Sequence, residues 1–318
     1  MTQAPMTSIT PGSGCWQAKS QVFDYRQAAN PVRAGLTEPI PYREWLPELH
    51  RSGPSRVIPL DLSEELGCPG PATSPALSAN FLRVLSGEGL KADAQATSSL
   101  FYVLEGCGQL SWGDGQQSWS RGDVLVLPWG DTPLLQAETT SVLYWVHDAP
   151  LLTYLGVRPH QPRFEPTHYP ARMLEQELLS LMADPSAARS NRLSILLANL
   201  DLPATRTVTH TLWAMLGVVP VGAIQAPHRH QSVALDLILD CAPGCYTLVG
   251  NELNADGTIH RPRRIDWQPG GAFVTPPGHW HAHVNDSDRE ARLLPIQDAG
   301  LHTYLRSLDI RFSGGLGG

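Results

Sequence analysis

The residues of this chain best suited to chemistry are its histidines. Twelve occur in 318 positions, which predicts about half an H-x-H pair by chance. Three such pairs are present: His228/His230, His279/His281 and His281/His283, in two windows about fifty residues apart. Along an extended strand, residues two apart share a face. Their imidazoles then stand roughly 6–7 Å apart along the backbone, close enough to share one ion. Three neutral imidazoles that leave coordination positions open suit a catalytic divalent metal, Fe(II) foremost, with Mn, Ni, Cu and Zn as alternatives. The bland reading of either window alone is satisfied surface or core histidines. The two windows together point to a metal.

The elements that must position these residues are strands. Gly and Pro number 28 each, and charged residues make up only 17% of the chain. Coiled coils are excluded by that balance, and the 42% hydrophobic content argues against disorder. Short apolar or alternating runs bounded by Gly, Pro and Asp predict strands at Ser99–Leu104, Val124–Leu127, Val142–Val146, Thr207–Leu216, Ala234–Leu239 and Tyr246–Val249. His228-Arg-His230 opens such a run, and Thr275 to His283 follows a short strand and a Gly-containing turn. One helix is expected at Ala171–Met182, with Leu174, Leu178, Leu181 and Met182 on one face and Asp184-Pro185 ending it. A second, short one is expected around Tyr42–Leu49, and Ala187–Asn191 reads as loop.

The chain also repeats itself. Ser118-Trp-Ser-Arg-Gly-Asp-Val-Leu-Val-Leu-Pro128 matches Asp266-Trp-Gln-Pro-Gly-Gly-Ala-Phe-Val-Thr-Pro276, placing Trp119, Gly122 and Pro128 on Trp267, Gly270 and Pro276. Further on, Asp148-Ala-Pro-Leu-Leu-Thr-Tyr-Leu155 matches Asp298-Ala-Gly-Leu-His-Thr-Tyr-Leu305. Similar offsets in the same order mean a duplicated domain. The expected organisation is an N-terminal arm over 1–50, a first antiparallel barrel or sandwich over 51–165, and a linker helix with a second one over 166–318.

Pro-His-Arg-His, a strand, a Gly-containing turn, and then Pro-Gly-x5-Pro-Pro-x3-His resembles the cupin superfamily, whose fold is an all-β jelly-roll barrel. More narrowly, Thr211-Leu-Trp-Ala, Ala226-Pro-His-Arg-His-Gln, Tyr246-Thr-Leu-Val-Gly250 and Thr275-Pro-Pro-x-x-Trp-His-x-His-x-Asn285 look like the metal-bearing cupin of the gentisate, salicylate and 1-hydroxy-2-naphthoate 1,2-dioxygenases. Those are bicupins, in keeping with the duplication. The close match covers about residues 192–298, and the N-terminal half matches only the generic barrel pattern. The resemblance implies an extradiol-type ring-cleaving oxidoreductase that uses Fe(II) and O₂ on a hydroxylated or amino-substituted aromatic compound. Carried over residue by residue, it makes His228, His230 and His281 the metal ligands and His283 the acid–base partner of the substrate. Trp213 falls at a pocket-lining position, and Arg192 falls near an arginine that contacts the substrate carboxylate. His279 has no counterpart and is expected to be exposed.

Two features depart from that pattern in opposite senses. Ala234 and Leu235 stand where many cupins carry a glutamate ligand, which agrees with the three-histidine dioxygenases. Asp236, however, stands where that family has an arginine for the substrate carboxylate. Its parity with His230 points it into the same cavity, where a carboxylate repels an anionic substrate. An altered substrate pocket is therefore expected. The alternatives are a metal cupin of another class, acting on a non-aromatic small molecule, or a non-catalytic small-molecule-binding bicupin. In the first repeat, Asp93, Gln95 and Pro133 occupy the positions matching His228, His230 and His281, so that barrel is expected to bind no metal.

A net charge of −7 and only two lysines disfavour nucleic acid or an anionic membrane as partner. The longest apolar run, Leu212–Ile224, is short for a membrane span and carries Pro220. No signal peptide is read at the start, and five cysteines without a C-x-x-C pair suit a reducing cytoplasm. The expected partners are a small-molecule substrate, O₂ and further copies of the chain. Cys241-Ala-Pro-Gly-Cys245 reads as a turn, and there is no G-x-S-x-G elbow, P-loop or G-x-G-x-x-G motif to suggest other chemistry.

Overall fold

The computed structural model of the chain describes residues 19–187 and 192–315. Residues Met1–Glu38 cluster as one unit and Pro39–Gly318 as another. Within the described part of the first unit, a one-turn helix, Tyr25–Ala28, is capped by Asp24, whose side chain accepts from Arg26 N at 2.9 Å. Apart from Ala187, the loop expected at Ala187–Asn191 lies outside the described residues.

The second unit is built from four antiparallel sheets. A six-stranded sheet runs Thr167–Tyr169, Val124–Pro128, Ser98–Glu105, Ser141–His147, Ser78–Val84, Arg56–Pro59, and a four-stranded sheet accompanies it. Farther along the chain, a second six-stranded sheet runs Glu44–Trp45, Ala272–Thr275, Ala234–Asp240, Ala291–Gln297, Trp213–Val219, Leu193–Leu197. It faces a five-stranded sheet ordered Arg263–Asp266, Cys245–Gly250, Trp280–Asn285, His228–Arg229, Arg311–Phe312. These are two tandem cupin barrels in an all-β fold with a few short helices.

Side-chain parity along the strands sorts the cores. From Ala234–Asp240, Leu235 and Leu237 join Leu60, Phe81 and Tyr144 in the cluster between the two six-stranded sheets. The alternate Ile238 turns inward to pack with Val249, Trp267 and Phe273 inside the second barrel. The interior of the first barrel is filled with Phe101, Leu110, Trp119, Leu125 and Trp145. The duplication is visible in detail. Asp148 and Asp298 each precede a seven-residue helix, Ala149–Leu155 and Ala299–Leu305. Gly122 and Gly270, matched in the repeat, both adopt positive φ (90° and 81°), which favours glycine.

Local readings mostly hold, with instructive exceptions. The linker helix spans Ala171–Ala183 and buries Leu174 and Leu178. Its first amide, Ala171 N, donates to Asp123 of the first barrel, and its Glu175 pairs with Arg292 of the second. Tyr42–Leu49 is not one helix: Glu44–Trp45 is a strand and only Glu48–Arg51 is helical. Pro47 breaks the run, and the strand Ala272–Thr275 pairs with the residues before it through Glu44↔Phe273. Thr207–Leu216 becomes strand only from Trp213. Before that, Thr209 Oγ1 accepts from the amides of Thr211 and Leu212, so side-chain bonds replace a sheet ladder. Thr167–Tyr169, placed by sequence with the second barrel, extends the sheet of the first through Tyr169↔Val124.

Candidate metal centre

His228 and His281 are directly opposed across neighbouring strands, His228↔His281, with ring centroids 4.0 Å apart. His230 follows on the same face, 5.0 Å from His281 by ring centroid. One ring nitrogen from each of His228, His230 and His281 lies within 4.8 Å of the other two. Among the described residues this is the one group of three or more His, Cys, Asp or Glu side chains so arranged. All three are buried, and burial pushes their pKa values down, that of His230 to about 4 and those of His228 and His281 well below the ordinary imidazole range. They are therefore neutral at pH 7, as metal ligation requires.

The hydrogen bonds around each ring determine which nitrogen faces the centre. Ser232 Oγ donates to Gln297 Oε1 (2.8 Å), so it accepts from His230 Nδ1–H (2.9 Å), which also reaches Ser232 O (2.9 Å). That leaves His230 Nε2 as a lone pair, buried without a protein partner. His281 Nδ1–H donates to the carbonyl of His279 (3.1 Å), freeing its Nε2 in the same way. Outer groups that fix the tautomer are the usual support of a metal-binding imidazole. His228 differs, because Arg192 Nη2 donates to its Nε2 at 3.0 Å and its Nδ1 is buried without a partner. The orphaned lone pair of His230 Nε2, the Nε2 lone pair of His281 and the neutral state of all three imidazoles fit a divalent metal ion, and His228 Nε2 joins them when Arg192 releases it.

His283 sits one step deeper. Trp267 Nε1 donates to Thr247 Oγ1 (2.8 Å), and Thr247 Oγ1 lies 2.9 Å from His283 Nδ1. Every group in this chain is satisfied when Thr247 donates to Nδ1, which places the proton of His283 on Nε2. That nitrogen is buried and has no protein partner. Trp267 comes from the internal repeat. Its counterpart Trp119 is buried with Nε1 unpartnered, so the two copies have diverged in polar wiring while keeping the indole.

A cavity of about 250 Å³ opens beside the histidines. Its walls are mostly apolar, with Trp213, Leu196 and Met215 from the six-stranded sheet, Phe312 from the C-terminal strand and Ile310 from the stretch just before it. Arg192 is the one side chain of permanent charge among the lining residues. Burial works against its charge, and the nearby Asp236 carboxyl works for it.

Asp236 faces the barrel interior, as parity requires, but is not part of that cavity wall. It is 2% exposed, it accepts from Thr275 Oγ1 (2.8 Å), and burial pushes its pKa up to about 6. His279 is half-buried rather than exposed, with Nδ1 3.2 Å from Pro277 O. In the first barrel Asp93 and Gln95 are exposed and Pro133 is buried. Sequence reasoning passed over Ser232, Thr247, Ile310 and Phe312. Ser232, two residues after His230, could have been marked by its spacing, whereas Thr247 meets His283 only through the pairing of two strands and nothing local marks Ile310 or Phe312.

Fold and centre together define a bicupin whose second barrel carries a three-histidine site. No family model matches the chain. Over 104 residues it is 31% identical to gentisate 1,2-dioxygenase 1 of Aquipseudomonas alcaligenes; the aligned stretch is 33% of this chain and 26% of that relative's length. Its structure is similar to that of salicylate 1,2-dioxygenase from Pseudoaminobacter salicylatoxidans, with a TM-score of 0.69 at 13% identity over 87% of this chain and 86% of that one. A mutant of the same enzyme in complex with gentisate gives 0.70 at 12% identity, covering 98% of both chains. An oxalate decarboxylase gives 0.56 at 15% identity, covering 90% of this chain and 86% of that one.

Proposed function

We propose that the chain is a non-haem Fe(II)-dependent dioxygenase that cleaves the ring of a hydroxylated or amino-substituted aromatic compound, an extradiol-type oxidoreductase with its own substrate preference. The observation that carries this reading is the convergence of His228, His230 and His281 beside a mostly apolar cavity with Arg192 at its wall. An apolar cavity near 150 Å³ takes benzene. The volume here, about 250 Å³, suits one substituted ring.

In this reading His228, His230 and His281 hold the ion. When bound, Fe(II) supplies a site for O₂ and lowers the pKa of a substrate hydroxyl. The protein residues do the rest. Trp213, Leu196 and Phe312 flank the ring. Arg192 leaves His228 to pair with an anionic substituent, a stronger, charge-assisted bond than one to a neutral imidazole. His283 donates a hydrogen bond from Nε2–H to a substrate oxygen, and in its other tautomer, with Nδ1–H donating to Thr247 Oγ1, it takes a substrate hydroxyl proton at Nε2. Asp236 acts from behind the wall, where its charge biases Arg192 and disfavours a substrate carboxylate nearby. The reaction breaks one ring carbon–carbon bond and places both atoms of O₂ in the product.

The domain reading belongs to the same proposal, with an arm over 1–50, a first barrel over 51–165 that supports the second without a metal, and the catalytic barrel over 166–318. A cytoplasmic, homo-oligomeric enzyme is proposed with it. Among the described residues no helix is long and apolar enough to cross a membrane. The test is O₂ uptake by the Fe(II)-loaded protein with gentisate, salicylate, 1-hydroxy-2-naphthoate and aminobenzoates. The expected result is uptake with at least one of them, with two oxygen atoms gained by the product. A stoichiometrically loaded protein that consumes no O₂ with any member of the panel refutes the reading.

A further inference from the structure

The strand that carries the first ligand and ends one residue before the second is only two residues long, His228–Arg229. On one side it meets the strand Trp280–Asn285 through the single register pair His228↔His281. On the other side its partner is the C-terminal strand, which returns after the helix Ala299–Leu305 and pairs as His228↔Phe312 and Arg229↔Arg311. Two further bonds extend that pairing in both directions. Ser313 N donates to Pro227 O at 2.8 Å, and Asp309 N donates to Gln231 Oε1 at 2.7 Å. The C-terminal segment thus grips residues 227–231, the whole stretch containing His228 and His230.

The same segment faces the cavity. Phe312 lies nearly parallel to the His228 ring, with centroids 5.6 Å apart and an interplanar angle of 21°. Phe312 and Ile310 form one wall of the cavity, and Trp213 and Met215 of the opposing sheet form the other. Two apolar walls carried on opposing sheets leave a slot, a shape that receives a planar ring.

We propose that the C-terminal strand Arg311–Phe312 is a working part of the metal site. It clamps the His228–His230 segment in ligating register, and it supplies one face of the slot for an aromatic ring. The clamp stands on the pairing alone, and the slot rests on the dioxygenase reading above. The residues involved are positioning residues and a specificity wall, not ligands.

The test separates the two roles. Co(II) is titrated into metal-free full-length protein for the native chain, for Gln231→Ala, and for Gln231→Ala combined with Ser313→Pro, which removes the second amide donor. Affinity should fall about threefold in the single variant and tenfold or more in the double. Affinities within twofold of native in both overturn the clamp, and the exposed single variant decides the matter if the double variant does not fold. In a second arm, gentisate binding to the anaerobic Fe(II)-loaded protein is compared with that of Phe312→Ala. A tenfold or larger rise in Kd is expected, and an unchanged Kd overturns the wall. If neither gentisate nor any other ring of the panel binds the native loaded protein, the dioxygenase reading fails and the wall with it, while the Co(II) titration still decides the clamp.

Discussion

Replacing Asp236 by Asn isolates one buried charge whose cost depends on pH. In the folded chain the carboxyl is 2% exposed, has one hydroxyl donor in Thr275, and titrates at about 6 instead of 3.8. A folded-state pKa above the unfolded value means the native state holds this proton longer. This group therefore costs nothing well below pH 3.8, and its cost grows between there and about 6 and is constant above. At about 1.4 kcal/mol per pH unit the full cost is about 3 kcal/mol. Applying the same linkage, about 1.6 kcal/mol of it is already present at pH 5, which leaves about 1.4 kcal/mol to develop between pH 5 and pH 8. The Asn variant lacks that term. Its amide N–H groups add a penalty of about 1–3 kcal/mol if unpaired, but that penalty does not titrate and cancels between the two pH values. Asp298, pushed up to about 7 by burial, titrates in the same window and cancels too, because both proteins carry it. The assay is urea unfolding of both metal-free proteins at pH 5 and pH 8. The stability of Asp236→Asn relative to native should rise by about 1.4 kcal/mol at the higher pH. A relative stability equal at both pH values would refute the reasoning and mean that Asp236 is solvated or fully paired in solution.

Three further outcomes are expected. Ala at His228, His230 or His281 should reduce bound metal from one per chain to well below that, while His279→Ala keeps it, as metal analysis of anaerobically purified protein would show; a native ratio near two contradicts a metal-free first barrel. Arg192→Leu should bind Co(II) more tightly than native, because the guanidinium hydrogen-bonded to His228 both occupies a lone pair and repels a dication, yet it should bind carboxylated aromatics more weakly; a titration showing weaker metal binding overturns this. His283→Asn should lower kcat by about 10²–10³-fold while keeping the metal, the scale of a lost acid–base group, and full activity in steady-state kinetics removes His283 from the mechanism.

Much of the site was legible in the sequence because strand periodicity is local. A period of two places His228 with His230, and His281 with His283, on shared faces whatever the rest of the chain does. Asp236 faces inward for the same reason. The duplication was equally plain, since a repeated Trp, Gly and Pro need no tertiary information to be matched. Other features follow from pairing between segments distant in the chain, which no local pattern encodes. Only the folded structure brings Arg192 against His228, across 36 residues, and lays Phe312 over the same ring from the chain's last strand. The strand Glu44–Trp45, read as helix from its own residues, belongs to this class, because pairing with the strand Ala272–Thr275 outweighed a weak local preference. So does the placement of Asp236 behind the cavity wall rather than in it. Parity determines which side of a strand a carboxylate takes, but only the packing of two sheets decides whether it meets a ligand or a threonine.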